Sequence, residues 1–152
     1  MSRTYIVTGA AGFIGSHLCA ALLDRGDHVV GIDNFDPFYD EAVKRANIVS
    51  FDPDRFRLVE ADIRDRKVIQ ETIEQAGPAV VFHIAALAGV RASIADPARH
   101  TSVNVSGTVS LLEAMRAGDC RRLVLASSSS VYGNNEKIPF SESDPVMGQI
   151  SP

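Results

Sequence analysis

The sequence has no tryptophan, only two cysteines among 152 residues, and 7% aromatic residues. Cys19 and Cys120 lie far apart and without CxxC spacing, which predicts two buried apolar side chains rather than a disulfide or a metal pair. Apolar runs are much shorter than the roughly 18 residues of a membrane helix. The first residues lead into a strand-like run rather than a signal-peptide core. These absences predict a cytoplasmic protein that does not insert into a membrane.

Neither positive nor negative charge is concentrated in one part of the sequence. Fifteen Lys and Arg residues oppose 19 Asp and Glu residues, for a net charge of -4. Because no basic cluster is present, we expect no nucleic-acid or anionic-membrane surface. His17, His28 and His100 lack metal-ligand spacing with any Cys or carboxylate, so no metal site is predicted. The apolar fraction of 45% suffices for the core of one globular domain.

Short apolar runs alternate with stretches of helical periodicity. Strands are predicted at 4–8, 28–32, 55–60, 79–82 and 122–126, and helices at about 14–26, 65–76 and 101–117. This alternation predicts an α/β fold with a parallel sheet that helices cover on both faces; the resemblance described below implies that the sheet is doubly wound with the strand order 3-2-1-4-5. Gly, Asn, Pro and Ser dominate the remaining residues, so 134–152 are predicted to be loop.

A glycine turn joins the first predicted strand to the first predicted helix. Gly9, Gly12 and Gly15 have the spacing GxxGxxG. Backbone N–H groups at such a turn, with the partial positive charge of a helix N-terminus, suit a dinucleotide pyrophosphate. Asp33 ends the second strand, where a carboxylate accepts hydrogen bonds from ribose hydroxyls. It would repel a 2′-phosphate and no Arg flanks it, so NAD is predicted in preference to NADP.

Two further segments follow predicted strands. Asp62 either accepts a hydrogen bond from the adenine amino group or caps the next helix, and capping by Asp65 instead would leave Asp62 free. The small residues at 83–89 let a cofactor lie against the backbone, or they serve tight helix–sheet packing. We interpret His83 as an oriented wall residue rather than a base.

Six segments together resemble one family, the extended short-chain dehydrogenase/reductases, in particular the NAD-dependent nucleotide-sugar epimerase/dehydratase group. The segments are 8–15, 33–34, 62–63, 83–86, 104–108 and 126–133. The resemblance implies a Rossmann-like NAD-binding domain over 1–133, truncated after about five strands, with 134–152 as a loop. It assigns the cofactor to Gly9, Gly12, Phe13, Ile14, Gly15, Asp33, Asn34, Asp62, Ile63, Ile84, Ala85, Ala86, Ala88 and Asn104.

The segments 34–40, 44–45 and 88–91 are similar to the UDP-glucuronate 4-epimerase branch of this family. Arg91 then binds a sugar carboxylate or the substrate pyrophosphate, or it is a solvated surface residue. Ser128 resembles the family's hydroxyl residue, which hydrogen-bonds the reacting sugar oxygen, although it also fits an ordinary polar loop. The family's Tyr-x-x-x-Lys motif would begin just after Pro152, and Tyr132 is interpreted as a packing residue.

Two functional hypotheses follow from the resemblance. In the first, the chain is the cofactor-binding portion of a homodimeric 4-epimerase of UDP-glucuronate or a UDP-hexose, with hydride passing to NAD and back through a 4-keto intermediate, and is inactive by itself. In the second, it is a non-catalytic NAD-binding module or a fragment of a sugar-nucleotide decarboxylase or reductase. A 4,6-dehydratase is disfavoured because Ser129 and Ser130 replace the acid–base pair of that branch.

Overall fold

Five parallel strands form a single sheet in the computed structural model, which describes residues 2–77 and 79–146. The strands are β1 (Thr4–Thr8), β2 (His28–Asp33), β3 (Phe56–Glu60), β4 (Val80–His83) and β5 (Leu123–Leu125). Their order across the sheet is β3-β2-β1-β4-β5, and every neighbouring pair is parallel. The predicted fold class and strand order are confirmed.

Helices connect the strands. They are α1 (Phe13–Asp24), α2 (Glu41–Ile48), α3 (Arg66–Ala76), α4 (Val90–Ala95), α5 (Pro97–His100), a π-helix (Thr101–Gly107), α6 (Thr108–Ala117) and a 3-10 helix (Ser129–Tyr132). The sequence pattern predicts α1, α3 and one helix over 101–117, which the structure divides into the π-helix and α6. It misses α2, α4 and α5, which are short and therefore carry little periodicity.

Side chains alternate along the strands and give the sheet two apolar faces. On one face, Ile6, Ile32 and Val81 pack against α3 and α6. On the other, Tyr5 and Val29 belong to a cluster that includes residues of α1. Both faces are therefore covered, as the doubly wound prediction requires. Cys19 and Cys120 are buried, one in each cluster, and both are free thiols, as predicted.

A third, smaller apolar cluster lies near the carboxyl edge of the sheet. It contains Ile63, Leu87 and Val103, with Phe38 and Ala85 packed against it. It therefore joins the segments after β2, β3 and β4 to the π-helix.

The final described segment, residues 134–146, contains neither helix nor strand. The Tyr132 ring stacks on Phe140 with centroids 5.0 Å apart, which is the packing role predicted for Tyr132. The predicted loop continues through 147–152, which lie outside the described residues, and the domain boundary near residue 134 stays a prediction. Within the described part of the chain, none of the helices combines the length and the hydropathy needed to cross a bilayer.

Candidate functional site

A cleft of about 470 Å³ lies at the carboxyl ends of β1 to β4. β1 and β4 flank the point where the strand order reverses, and ligands of open α/β sheets bind at such a point. The predicted residues that line the cleft are Gly9, Gly12, Phe13, Ile14, Gly15, Asp33, Asn34, Asp62, Ile63, Ile84, Ala85, Ala86 and Ala88. The fold thus brings thirteen of the fourteen predicted cofactor residues to one cavity, Asn104 being the exception.

The glycine turn has no room for a side chain at Gly9 or at Gly15. Gly9 has φ of +69°, and a Cβ there would lie 2.9 Å from the backbone of Ala85. A Cβ on Gly15 would lie 2.0 Å from the Gly9 carbonyl oxygen. At Gly12 the same atom would lie 3.3 Å from that oxygen, so the turn would have to shift by a few tenths of an ångström to admit a side chain. Gly12 is also the N-cap of α1, and its open position leaves the first turn of the helix accessible from the cleft.

Asp33 is buried at the end of β2 with both carboxylate oxygens engaged by backbone donors. Its Oδ2 accepts the Ala11 N–H at 3.0 Å and its Oδ1 accepts the Phe35 N–H at 2.8 Å. No Arg flanks Asp33 in the sequence, but the fold brings a cation from α2, since the Nζ atom of Lys44 lies 3.6 Å from Oδ1. The electrostatics at this position are therefore those of an ion pair rather than of an isolated carboxylate.

Asp62 is not free, contrary to the sequence-based expectation. Asp65 does cap α3, accepting the Val68 N–H at 3.3 Å. The oxygens of Asp62 nevertheless accept four hydrogen bonds, three from Arg64 and one from the Asn34 side chain. The hydrogen bonds from Arg64 lower the pKa of Asp62 to about 2. A ligand amino group at Asp62 would have to share these lone pairs or displace a donor.

His83 lies one layer behind the cleft rather than in its wall. Thr8 Oγ1 accepts the N–H groups of Ile84 and Ala85, so its own proton is donated to His83 Nδ1 at 2.7 Å. The proton of the imidazole is then on Nε2, which donates to Thr108 Oγ1 at 3.0 Å. Burial lowers the pKa of His83 and keeps the ring neutral. The ring thus fixes the backbone of the cleft-lining segment after β4.

Asn104 also supports the cleft from behind instead of lining it. Its Oδ1 accepts the Leu87 N–H at 2.8 Å, and its Nδ2 donates to the Leu87 carbonyl at 2.9 Å. Thr108 donates to the Asn104 carbonyl at 2.6 Å and so joins this contact to the His83 network.

Ser128 and Arg91 lie outside the described cleft. Ser128 is exposed at the N-cap of the 3-10 helix, where its Oγ accepts the Ser130 N–H at 3.2 Å. Arg91 is exposed on α4. The two side chains predicted to meet substrate are therefore not among those that form the cofactor cavity.

Comparison with models of protein families shows which family the chain belongs to. The model of the family described as GDP-mannose 4,6 dehydratase matches residues 6–152. The chain belongs to this family.

UDP-glucuronate 4-epimerases are among the curated relatives of the chain. It is 46% identical to UDP-glucuronate 4-epimerase 1 of Arabidopsis thaliana over 140 residues, covering 91% of this chain and 33% of the relative. It is 43% identical to a probable UDP-glucuronate 4-epimerase of Rhizobium meliloti (strain 1021) over 141 residues, covering 92% and 41%. The chain therefore spans about a third to two fifths of the length of these relatives.

Solved structures of similar proteins have the same fold as this chain. The UDP-glucose 4-epimerase of Brucella ovis, in complex with NAD, matches with a TM-score of 0.83 and 33% identity, covering 99% of this chain and 43% of that one. The UDP-glucose 4-epimerase of Stenotrophomonas maltophila, with bound NAD and formylated UDP-arabinopyranose, matches with a TM-score of 0.82 and 33% identity, covering 95% and 43%. The chain thus has the fold of a short-chain dehydrogenase/reductase-type epimerase over its described length.

Sequence reasoning missed ten residues that line the cleft. They are Ile32, Asp36, Phe38, Tyr39, Val43, Lys44, Asn47, Ala61, Leu87 and Val103. Six of them belong to the loop after β2 or to α2. Asp40 was a sequence signal for the start of α2, because Asp is a common N-cap residue. In the structure its side chain caps α2 by accepting the Ala42 N–H at 2.8 Å.

Proposed function

We propose that this chain is the NAD-binding portion of a nucleotide-sugar 4-epimerase whose substrate is UDP-glucuronate or a UDP-hexose. The observation that carries the proposal is the cleft at the sheet's switch point, where the glycine turn, the start of α1 and buried Asp33 meet. The named activities of the relatives support the same reaction.

The residues present fit the dinucleotide. Gly9 and Gly15 leave no space for a side chain within the turn, while Gly12 keeps the backbone approachable from the cleft. The proposal assigns the pyrophosphate to this turn, the adenosine ribose to Asp33 and Asn34, and the adenine to Asp62 and Ile63. Bound NAD supplies a hydride acceptor for the sugar carbon. Ile84 and the small residues Ala85, Ala86 and Ala88 border the remainder of the cavity.

Ser128 and Arg91 are proposed to act on the substrate rather than on the cofactor. Ser128 would donate a hydrogen bond to the sugar oxygen that loses its proton, and Arg91 would bind the carboxylate or the pyrophosphate of the UDP-sugar. Both side chains are exposed and thus accessible to a ligand that extends beyond the cleft.

A non-catalytic NAD-binding module is the second candidate, favoured by one observation. Tyr5, Tyr39 and Tyr132 are followed four positions later by Gly9, Val43 and Glu136 and not by a lysine. A fragment of a sugar-nucleotide decarboxylase or reductase would share this property. Both alternatives keep the cofactor site and differ in the reaction.

The proposal includes a cytoplasmic location and a homodimer. The free thiols of Cys19 and Cys120 agree with a reducing compartment. Val124 and Leu125 are about half exposed on β5, the edge strand, and such an apolar edge favours self-association. Sedimentation velocity should show dimers, and a monomer at high concentration would contradict this part of the proposal.

Calorimetric titration of the 152-residue chain with NAD tests the cofactor site. We expect one NAD per chain and loss of binding in Gly12→Val, because the new side chain obstructs the pyrophosphate position. Ala98→Val, an equivalent enlargement on exposed α5, should bind like the wild type. Binding that persists in a folded Gly12→Val variant would remove the glycine turn from the site.

A further inference from the structure

Helix α2 holds a buried lysine over the carboxylate that ends β2. Lys44 is 8% exposed, and its Nζ lies 3.6 Å from Asp33 Oδ1. The Asn47 side chain fastens this helix to the glycine turn, donating to the Ala11 carbonyl at 3.0 Å. Because Lys44 and Asp33 both line the cleft, a ligand there meets the lysine and the carboxylate together.

The neighbouring carboxylate has its own counterion. Asp36 accepts two hydrogen bonds from Arg99, at 2.7 and 2.8 Å. Lys44 contributes to lowering the pKa of Asp36, but only after the closer Arg99. The ammonium of Lys44 therefore serves as the direct ion-pair partner of Asp33.

Asp33 retains acceptor capacity beside this cation. Each of its oxygens accepts one backbone N–H and has a second lone-pair site for a ligand hydroxyl. An isolated carboxylate at this point would repel a 2′-phosphate, whereas the Asp33–Lys44 pair has no net charge. An ammonium also attracts phosphate directly.

We propose that Lys44 is a specificity-determining residue of the adenosine-ribose subsite. It offsets the repulsion between Asp33 and a 2′-phosphate, so that the chain binds NADP as well as NAD, with a smaller preference for NAD than Asp33 alone would impose. The inference rests on the proposed function, since it requires a dinucleotide in this cleft.

The test is the ratio of the dissociation constants for NADP and NAD, measured by calorimetry on the 152-residue chain. In Lys44→Met this ratio should rise by about tenfold or more, the size of effect that a charge 4–6 Å away has on a neighbouring ionic equilibrium. Lys44→Arg retains the cation and should keep the ratio within about threefold of the wild type. Lys67→Met, the matched change at an exposed lysine of α3, should also keep the ratio within about threefold of the wild type.

Adenosine 5′-monophosphate and adenosine 2′,5′-bisphosphate repeat the comparison with the adenosine half alone. An unchanged ratio in a folded Lys44→Met variant overturns the role of Lys44 while leaving NAD binding intact, and so does undetectable NADP binding by the wild type. If the wild type binds neither NAD nor adenosine 5′-monophosphate, the proposed function fails and this inference with it. Lys44→Gln provides the same comparison should Lys44→Met not fold, as judged by circular dichroism.

Discussion

Asp33 has a structural role in addition to its proposed ligand-binding role. It holds the N–H groups of Ala11 and Phe35 and pairs with Lys44, all within a buried environment. Sequence reasoning identifies only the second role, because the partners come from three separate segments of the chain. A substitution at Asp33 therefore affects stability as well as cofactor binding.

Asp33→Ala should weaken NAD binding and also lower the free energy of unfolding by about 3–5 kcal/mol, because it leaves the Lys44 charge buried without a partner. Urea denaturation measures the stability, and calorimetry measures the binding. Glu71→Ala breaks an exposed ion pair with Lys67 on α3 and should cost at most about 1 kcal/mol. Equal stability losses in the two variants would show that the Asp33–Lys44 pair does not contribute as a buried pair.

His83 gives the fold a defined pH dependence. Burial lowers its pKa in the folded protein below the value near 6.5 of the unfolded chain, so the unfolded state binds the proton more readily. The stability that the neutral ring contributes is complete above about pH 6.5 and is lost as the pH falls toward the folded pKa.

The measurement is urea unfolding of the wild type and of His83→Gln between pH 5 and 8. The difference in unfolding free energy between the two proteins should decrease from pH 7.5 to pH 5.5. Comparing the two proteins cancels the contribution of groups common to both, including Asp62 with its pKa of about 2. A difference that stays constant over this range would assign the imidazole no pH-dependent role.

At the scale of elements, the π-helix and the segment after β4 depend on each other. Gly107 allows the π-helix to approach the segment after β3, since a Cβ there would lie 2.7 Å from Ile63. Asn104 binds both backbone groups of Leu87, a cleft-lining residue with no regular secondary structure. The helix thereby supplies the hydrogen bonds that a strand would otherwise provide.

Asn104→Ala should lower the unfolding free energy by about 1–3 kcal/mol, because the Leu87 N–H and carbonyl lose their partners, and it should weaken NAD binding. Chemical denaturation and calorimetry report the two effects. Ser106→Ala removes a hydroxyl from an exposed position of the same π-helix and should change neither. Normal NAD affinity in Asn104→Ala would mean that Leu87 does not shape the cofactor site.

At the scale of the whole molecule, we expect the 152-residue chain to have no measurable epimerase activity. A sugar hydroxyl does not release its proton with the hydride unless a base lies beside it, and such assistance typically contributes 10²–10⁴-fold. A neutral hydroxyl such as Ser128 only donates or accepts a hydrogen bond, and Tyr132 has Glu136 where the motif needs a lysine.

Incubation of the chain with NAD and UDP-glucuronate, followed by chromatography of the 4-epimer, measures this activity. The Ser128→Ala variant provides the background. Turnover by the wild type above that background would identify a base within this chain, and Tyr132 would be the first residue to substitute.

Local patterns in the sequence predict the parallel sheet and the glycine turn, and the family resemblance implies the strand order. Apolar runs, helical periodicity and turn glycines are short-range signals, and parallel connections restrict the possible topologies. Only the tertiary structure decides the electrostatics of the site. Lys44 reaches Asp33, and Asn104 reaches Leu87, because the fold brings together residues distant in sequence, and pairing between such residues leaves no periodic signal in either segment.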